Sequence, residues 1–521
     1  MQTAQIDRTT LNPPALEYIE HLEKEIKVLK ELEKENKILK ERLNLLLYQR
    51  YARSAERLLA DEGQQLLFVE HPQQTPDEQV SSIENEAQEI KSYTRKKPGR
   101  KPIDPSLPRK EEIIDVPEAE KVCACGEQMS RIGEETSEKV EIIPPSMYVL
   151  RTIRPKYACR CCEGTGDEGN PTVKIAPPPL VIIPRSIASA SLLSYVLIQK
   201  YQDHLPFYRQ ELQFRRIGIE ISRQDMCNWQ QQVYNKLSPL FDLLRKTIKS
   251  GPVLQMDETT VQVMGEEGRD DTQKSYMWLA RGGPPGKTVI LYEYRETRGG
   301  YNAKEFLRGY KGYLQTDGYG GYDSAVKDNP DIIHVGCFAH ARRKFFEAIK
   351  SAKKAPLADK GIQYIRRLYE LEERLRKEQR EESDFLAQRK KEAEPILKEF
   401  KAWLEKYVVE ILPSTSLENA VRYTLNQWDK LVMYLESPYL TPDNNACENA
   451  IRPFVLGRKN WLFNKSPEGA ESSCGIYSLI ETAKQNSLEP MKYLHELFER
   501  CPLATSIEDW KKLLPWNIFT A

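Results

Sequence analysis

The sequence predicts a multidomain α+β protein: an N-terminal coiled coil, a small zinc-binding β module, a helical helix-turn-helix-like domain, and an α/β core with a large helical insertion. Three observations carry that prediction. An apolar stripe runs through residues 15–60, five cysteines crowd between positions 123 and 162, and strand-like runs from 253 to 335 give way to long amphipathic stretches. A chain of 521 residues has room for these parts. No apolar run approaches the ~20 residues of a membrane span, and the N-terminus lacks the apolar segment of a signal peptide, so a cytoplasmic protein with no membrane partner is expected. Lys+Arg and Asp+Glu balance at 77 each, so net charge argues neither for nor against nucleic acid, and any DNA surface must come from local clustering. Ten cysteines at irregular spacing, without an export signal, argue against a disulfide framework.

In the first segment, 15–60, Ile19, Leu22, Ile26 and Leu29, then Leu32, Asn36, Leu39, Leu43 and Leu46, follow 3-4 spacing with one three-residue skip. The pattern reads as a coiled coil that pairs two chains, with Asn36 at an a-type position where an amide favours a partner amide. A single amphipathic helix folded onto its own chain fits the same spacing. Residues 61–110 are a linker rich in Gln, Glu and Ser that ends in Arg95, Lys96, Lys97, Pro, Gly, Arg100 and Lys101. This basic, extended strip suits insertion into a narrow A·T-rich minor groove, and equally suits a solvated linker.

The zinc module is expected over 111–175. Cys123-Ala-Cys125 and Cys159-Arg-Cys161-Cys162 form two thiolate knuckles that can close a tetrahedral site, and four soft ligands select Zn²⁺. Cys123, Cys125, Cys159 and Cys162 are the expected ligands of one structural zinc, with Cys161 as a rival because the first pair is tight. A helical domain follows over 185–250. Leu192, Leu193, Val196, Leu197 and Tyr201 recur at helical spacing, a second helix takes in Phe207 to Phe214, and Gly218 breaks it. Ser222-Arg-Gln-Asp225 then opens a third helix as a capping box. Helix, glycine turn and helix suggest a DNA-reading unit with Arg223, Gln224 and Asn228 on its second helix, an arrangement also common in plain helical bundles.

The core is expected over 251–350 and 437–500. Val253 to Val263, Ser275 to Ala280 and Thr288 to Tyr294 read as antiparallel strands with Gly-Pro-Pro-Gly286 as a turn, and a helix around Ala303 to Tyr310 leads to the Asp317 strand. Ile332 to Val335 is a further strand, feeding a helix with His340, Arg342, Arg343 and Lys344. Residues 351–436 are a helical insertion, with one apolar face from Ile362 to Leu375 and another from Ile396 to Tyr407. The tail from Glu468 to Glu499 reads as helical and 501–521 as a packed appendage.

One acid stands out on each of three elements. Asp257 lies in Leu254-Gln-Met-Asp257, Asp317 in Leu314-Gln-Thr-Asp317, and Glu448 near the start of a helix for which Thr441, Asp443 and Asn444 offer capping oxygens. Two strands and a late helix with a carboxylate each is the layout of a two-metal phosphoryl-transfer site, because hard cations take oxygen ligands and two of them ~4 Å apart clamp both the attacking and the leaving oxygen. Taken singly, each acid also fits a solvated strand end or a helix cap. Arg342, Arg343, Arg452, Arg458 and Lys459 are candidate phosphate contacts, with Arg452 one turn past Glu448 as a possible partner for it; a solvated basic face is the other reading. His340 is either near the reacting phosphate or a packing histidine.

The blocks Met256-Asp257-Glu-Thr, Gln315-Thr-Asp317-Gly-Tyr, Gly336-Cys-Phe-Ala-His340-Ala-Arg-Arg343, Glu448-Asn-Ala-Ile-Arg452-Pro and Gly457-Arg-Lys-Asn-Trp461-Leu-Phe resemble the catalytic region of the insertion sequence 66 transposase family, and earlier blocks match as well. The resemblance implies a DDE transposase with a ribonuclease-H-like core, Asp257, Asp317 and Glu448 at its acidic positions, and two Mg²⁺ (or Mn²⁺) ions. It further implies cleavage and strand transfer at the inverted repeats of a mobile element, double-stranded DNA as partner, a nucleoid-associated location and small accessory proteins of the same element. Ile132-Gly-Glu-Glu135 between the cysteine pairs is similar to the family's zinc module. A nuclease or resolvase that cuts without joining, and a DNA-binding regulator with an inactive core, are the competing readings. Elemental analysis of fragment 115–170 is expected to find one zinc per chain, and a metal-free folded fragment would contradict the ligand assignment.

Overall fold

The computed structural model describes residues 13–51, 147–158, 173–351 and 355–519. The expected zinc ligands Cys123, Cys125, Cys159 and Cys162 and the basic strip Arg95 to Lys101 lie outside them. The chain divides into a unit of 72–178 and a unit formed by 1–71 with 179–521. In the first, β1 (Lys156–Ala158) pairs antiparallel with β2 (Val173–Ile175), Tyr157 opposite Lys174.

The second unit opens with α1 (Pro13–Tyr51), whose Leu22, Ile26, Leu29, Leu32, Leu39, Leu43 and Leu46 are all exposed. The later part of this helix meets the segment that ends in Ser351, where Asn44 Nδ2 donates to the Ser351 carbonyl at 3.3 Å. Four helices follow: α2 (Ala190–Tyr201), α3 (Phe207–Arg216), α4 (Arg223–Lys236) and α5 (Ser238–Ile248). Gly218, at φ +82°, makes the left-handed turn between α3 and α4, a conformation that costs glycine nothing. Ser222 and Asp225 cap α4 reciprocally as the capping box predicts.

A five-stranded sheet comes next. β3 (Val253–Gln262), β4 (Lys274–Gly282) and β5 (Val289–Arg295) form an antiparallel meander; Gly283 and Gly286, both at positive φ, turn the second connection. After α6 (Gly300–Phe306), β6 (Gly312–Gln315) pairs parallel to β3; after α7 (Gly320–Val326), β7 (Ile332–Val335) pairs parallel to β6. The spatial order is β5-β4-β3-β6-β7, which puts β3 in the centre. β7 feeds α8 (Phe338–Ser351).

The insertion folds as α9 (Pro356–Lys377), α10 (Glu382–Val408), α11 (Ser416–Asn426) and α12 (Trp428–Val432). With α8 it forms its own apolar cluster around Phe345, Ile365, Leu368, Phe400 and Trp428, with the Tyr364 and Phe400 rings stacked at 5.1 Å. The remainder is α13 (Asn445–Trp461), α14 (Pro467–Gln485), α15 (Pro490–Arg500) and α16 (Ile507–Lys512).

The helical unit 185–250, expected as a domain by itself, shares one continuous core with the sheet and with Trp510, Leu513 and Ile518 of the C-terminal segment. The reason is α14, whose small side chains allow close approach on two sides. Ser478 Oγ accepts from the Tyr292 N–H at 2.9 Å, and Thr482 Oγ1 accepts from Ile290 N and donates to its carbonyl, both at 3.0 Å, so α14 covers the free edge of β5. On the other side Ser472 accepts from Gln230 Nε2 at 2.7 Å and Ser473 meets the Tyr201 hydroxyl at 2.9 Å.

Arg389 ties the insertion to the chain leading into α13. Its guanidinium is fully buried and donates to the carbonyls of Tyr434 (2.8 Å), Ser437 (2.8 Å) and Leu440 (3.0 Å) and to Glu372 (2.8 Å). Replacing it removes the donor shared by the Tyr434 and Ser437 carbonyls and leaves Glu372 and the Leu440 carbonyl to Arg376 alone. Arg389→Met is therefore expected to destabilise the protein by about 3–5 kcal/mol in urea unfolding followed by tryptophan fluorescence. A loss below about 1 kcal/mol would mean the segment is held by packing alone.

Candidate active site

The parallel register of the two central strands brings the aspartates together. Gln255 on β3 pairs with Gln315 on β6, and each aspartate lies two residues further along its chain, hence on the same face. The glutamines confirm the register by touching: Gln255 Nε2 donates to Gln315 Oε1 at 2.8 Å. Asp257 Oδ1 accepts from the Glu258 N–H at 2.8 Å, and Asp317 Oδ1 from the Tyr319 N–H at 2.9 Å.

The same polar layer reaches the third element. Arg281 Nη1 donates to Gln255 Oε1 at 2.9 Å, and Gln315 Nε2 donates to the Thr441 carbonyl at 2.7 Å, holding the approach to α13 against the sheet. Asn444 Nδ2 then donates to the Met256 carbonyl on β3 at 3.0 Å, while the Asn444 N–H donates to Cys337 Sγ at 3.2 Å. Asn444 thus does not cap α13 with its side chain as expected, but links the helix to the strand. Asp443 supplies the local turn by accepting from the Asn445 N–H at 3.0 Å, and the Thr441 hydroxyl donates to the Asp443 carbonyl at 2.7 Å.

Glu448 therefore projects from the first turn of α13 toward Asp257, but it faces α8. Arg343 Nη2 meets its Oε2 at 3.2 Å, and His340 Nδ1 lies 3.6 Å from its Oε1. Burial holds His340 below the usual histidine range against the opposing charge of Glu448, and 3.6 Å is too long for a hydrogen bond. The three acids do not close on one another: among the described residues, the group with ligand atoms all within 4.8 Å is Cys337, His340 and Glu448. Asp257 nonetheless feels the other acids. Burial first, then the charges of Glu258, Glu448 and Asp317, push its carboxyl up to about 8, against a smaller opposing effect of the Glu258 N–H. Glu258, on the opposite face, is committed to Arg298 (2.6 Å) and the Tyr322 hydroxyl (2.5 Å).

The candidate phosphate contacts separate clearly. Arg342 is 4 % exposed with its guanidinium 4.6 Å over the Phe346 ring, so it belongs to the packing and the expectation that it faces phosphate is corrected. Arg343, not Arg452, pairs with Glu448, because α8 crosses at that turn while Arg452 is exposed. Arg458 donates to Thr259 (3.0 Å) and Thr260 (3.3 Å) on β3, and Lys459 is exposed. At the start of α4, Arg223, Gln224 and Asn228 are exposed, with Gln224 Nε2 on Asn228 Oδ1 at 2.9 Å.

Sequence reasoning missed Gln255, Gln315 and Cys337, and gave Asn444 a capping role in place of its link to β3. The repeated Leu-Gln-x-Asp of Leu254 to Asp257 and Leu314 to Asp317 was a signal for the first two, since a glutamine two residues before each aspartate shares its face.

The raised Asp257 carboxyl has a measurable consequence. Its stabilising contribution is complete below the ordinary carboxylate value of 3.8 and is lost as pH rises through about 8. In Mg²⁺-free buffer, Asp257→Asn is expected to match wild type near pH 4 and to gain stability over it steadily as pH rises to about 8, then level off. A difference independent of pH would show that Asp257 is ionised throughout.

Four family models match the chain. The "Transposase IS66 family" covers residues 185–472, a zinc-finger binding domain of IS66 transposases covers 120–163, the IS66 C-terminal element covers 478–516, and a model described as "Transposase C of IS166 homeodomain" covers 38–111. The zinc-finger span contains all four expected ligand cysteines. Relatives from Sinorhizobium fredii include uncharacterized protein y4jD, 32% identical over 79% of this chain and 80% of its own length, and uncharacterized protein y4qI, 32% identical over 85% and 84%. No helix among the described residues is long and apolar enough to cross a membrane. With the transposase model spanning over half its length and such relatives along most of it, the chain belongs to the IS66 family of DNA-binding transposases.

Proposed function

We propose that this protein binds the terminal inverted repeats of an insertion sequence and catalyses their Mg²⁺-dependent cleavage and strand transfer, with Asp257, Asp317 and Glu448 as its acidic triad. The observation that carries the reading is the shared register of the elements bearing Asp257 and Asp317, with α13, which bears Glu448, tied to the Asp257 strand through Asn444. The strand order, three antiparallel and two parallel to the first, supports a ribonuclease-H-like core. The donor set suits the ions: three carboxylates are hard ligands, and the buried Glu448 Oε1 has no hydrogen-bond partner. Two Mg²⁺ (or Mn²⁺) ions held there would activate water to nick an end and later the freed 3′-hydroxyl for in-line attack on target DNA.

The chain's own residues supply the rest. Asp257 gives up its proton when it takes up a cation, and Glu448 must turn from Arg343 to join the aspartates. Arg343, freed by that turn, is then available to a phosphate, as are Arg452, Arg458 and Lys459 along α13. Arg223, Gln224 and Asn228 suit contact with the ends through α4, and Arg95, Lys96, Lys97, Arg100 and Lys101 suit a minor groove. The exposed leucines of α1 suit a paired coil that holds two chains, and so two ends, together. Zinc in the cysteine module is structural, small accessory proteins of the same element join the complex, and the working location is the nucleoid.

Strand transfer with labelled inverted repeats tests this. Asp257→Ala, Asp317→Ala and Glu448→Ala should each keep end binding while losing cleavage and joining about a thousandfold or more. Cleavage without joining by the wild type would favour a nuclease, and binding without cleavage a regulator.

A further inference from the structure

Cys337 immediately precedes α8 and His340 lies one turn in, so the Cys-x-x-His spacing sets thiol and imidazole side by side, facing Glu448 of α13. One donor atom from each of the three lies within 4.8 Å of the others. Two of those atoms, His340 Nδ1 and Glu448 Oε1, are buried without a hydrogen-bond partner, although they face each other at 3.6 Å. A buried imidazole nitrogen and a buried carboxylate oxygen in that relation are costly unless a cation lies between them.

We propose that Cys337, His340 and Glu448 form a binding site for one divalent cation of the zinc class, separate from the cysteine module and adjoining the acidic triad. One thiolate, one imidazole and one carboxylate make a three-ligand zinc set with a fourth position open, and a thiolate selects zinc-class ions over Mg²⁺. Metal–sulfur and metal–nitrogen bonds of about 2.3 and 2.0 Å require the donors to draw together by about an ångström, which a turn of the Glu448 side chain supplies. On binding, the Cys337 S–H bond breaks, its proton leaves to solvent and a sulfur–metal bond forms. The Asn444 N–H already pointing at Cys337 Sγ at 3.2 Å stabilises the resulting negative sulfur. Arg343 holds the other oxygen of Glu448 at 3.2 Å, which leaves Oε1 for the ion.

The consequence for activity rests on the triad reading given above: Glu448 belongs to both sets, so an ion on Cys337 and His340 takes a carboxylate from the hard-metal pair, and the two occupancies oppose each other. The binding site itself does not depend on that reading. The test counts metal on the purified full chain and follows Co²⁺ uptake through its thiolate charge-transfer absorption, in the absence of DNA. Wild type should hold one equivalent more than Cys337→Ser and than His340→Ala, with a matching fall in charge-transfer intensity in both variants. Glu448→Gln should weaken uptake of that equivalent by about tenfold or more. Near-UV circular dichroism that matches wild type shows the variants folded, and His340, at the rim of the core, provides a second variant should Cys337→Ser fail to fold. Equal metal content in wild type and both folded variants overturns the proposal, whatever the triad variants do in strand transfer.

Discussion

The bond from the Asn444 side chain to the Met256 carbonyl is the constraint on which the site depends, because it joins the start of the helix carrying Glu448 to the strand carrying Asp257, one residue before that aspartate. It closes a buried polar seam that runs from Arg281 through Gln255 and Gln315 to the Thr441 carbonyl. Apolar side chains there would bind the layers as well but would tolerate sliding. Amides that must each find a partner accept one register only, since a shift by one residue leaves several buried groups unsatisfied. The seam thus converts a generic sheet-and-helix contact into a defined placement of three carboxylates.

That placement has to survive a long excursion of the chain between α8 and α13. A flexible loop of that length would cost closure entropy and leave α13 loosely tethered. Instead the excursion folds on its own aromatic core, and Arg389 and Arg376 grip the carbonyls of the segment that returns; Arg376 Nη2 meets the Leu440 carbonyl at 2.8 Å. The insertion is therefore part of how Glu448 is positioned.

Much of this was legible in the sequence. β7 was read to the residue, β3 to within one, and the capping box at Ser222 directly, because each has strong local chemistry: a short β-branched run, alternation, a hydroxyl three residues before an acid. Three acids stood out on their elements for the same reason, and of these Asp257 and Asp317 follow paired strand positions while Glu448 turns to Arg343. What was not legible depended on long-range contact. Arg342 and Arg343 are adjacent and chemically alike, yet one is buried over Phe346 and the other reaches Glu448, a difference set by which face of α8 the insertion covers. The boundary expected near residue 250 dissolved because α14, some 220 residues later, inserts its serines between the helical unit and the sheet. Such close approach is encoded in small residues, which carry no periodic signal of their own.

Electrostatically the site is held in tension. Asp257 is buried among like charges and retains its proton to about pH 8, while Glu448 is turned away by Arg343. Carboxylates so arranged gain from a cation that all of them can reach, which is the central claim. Anomalous diffraction from Mn²⁺-soaked crystals of the full chain with end DNA tests it most directly. The account predicts manganese in contact with Asp257, Asp317 and Glu448 together, the last rotated off Arg343. Manganese bound elsewhere, or Glu448 still paired with Arg343 beside ions held by the aspartates alone, would contradict it.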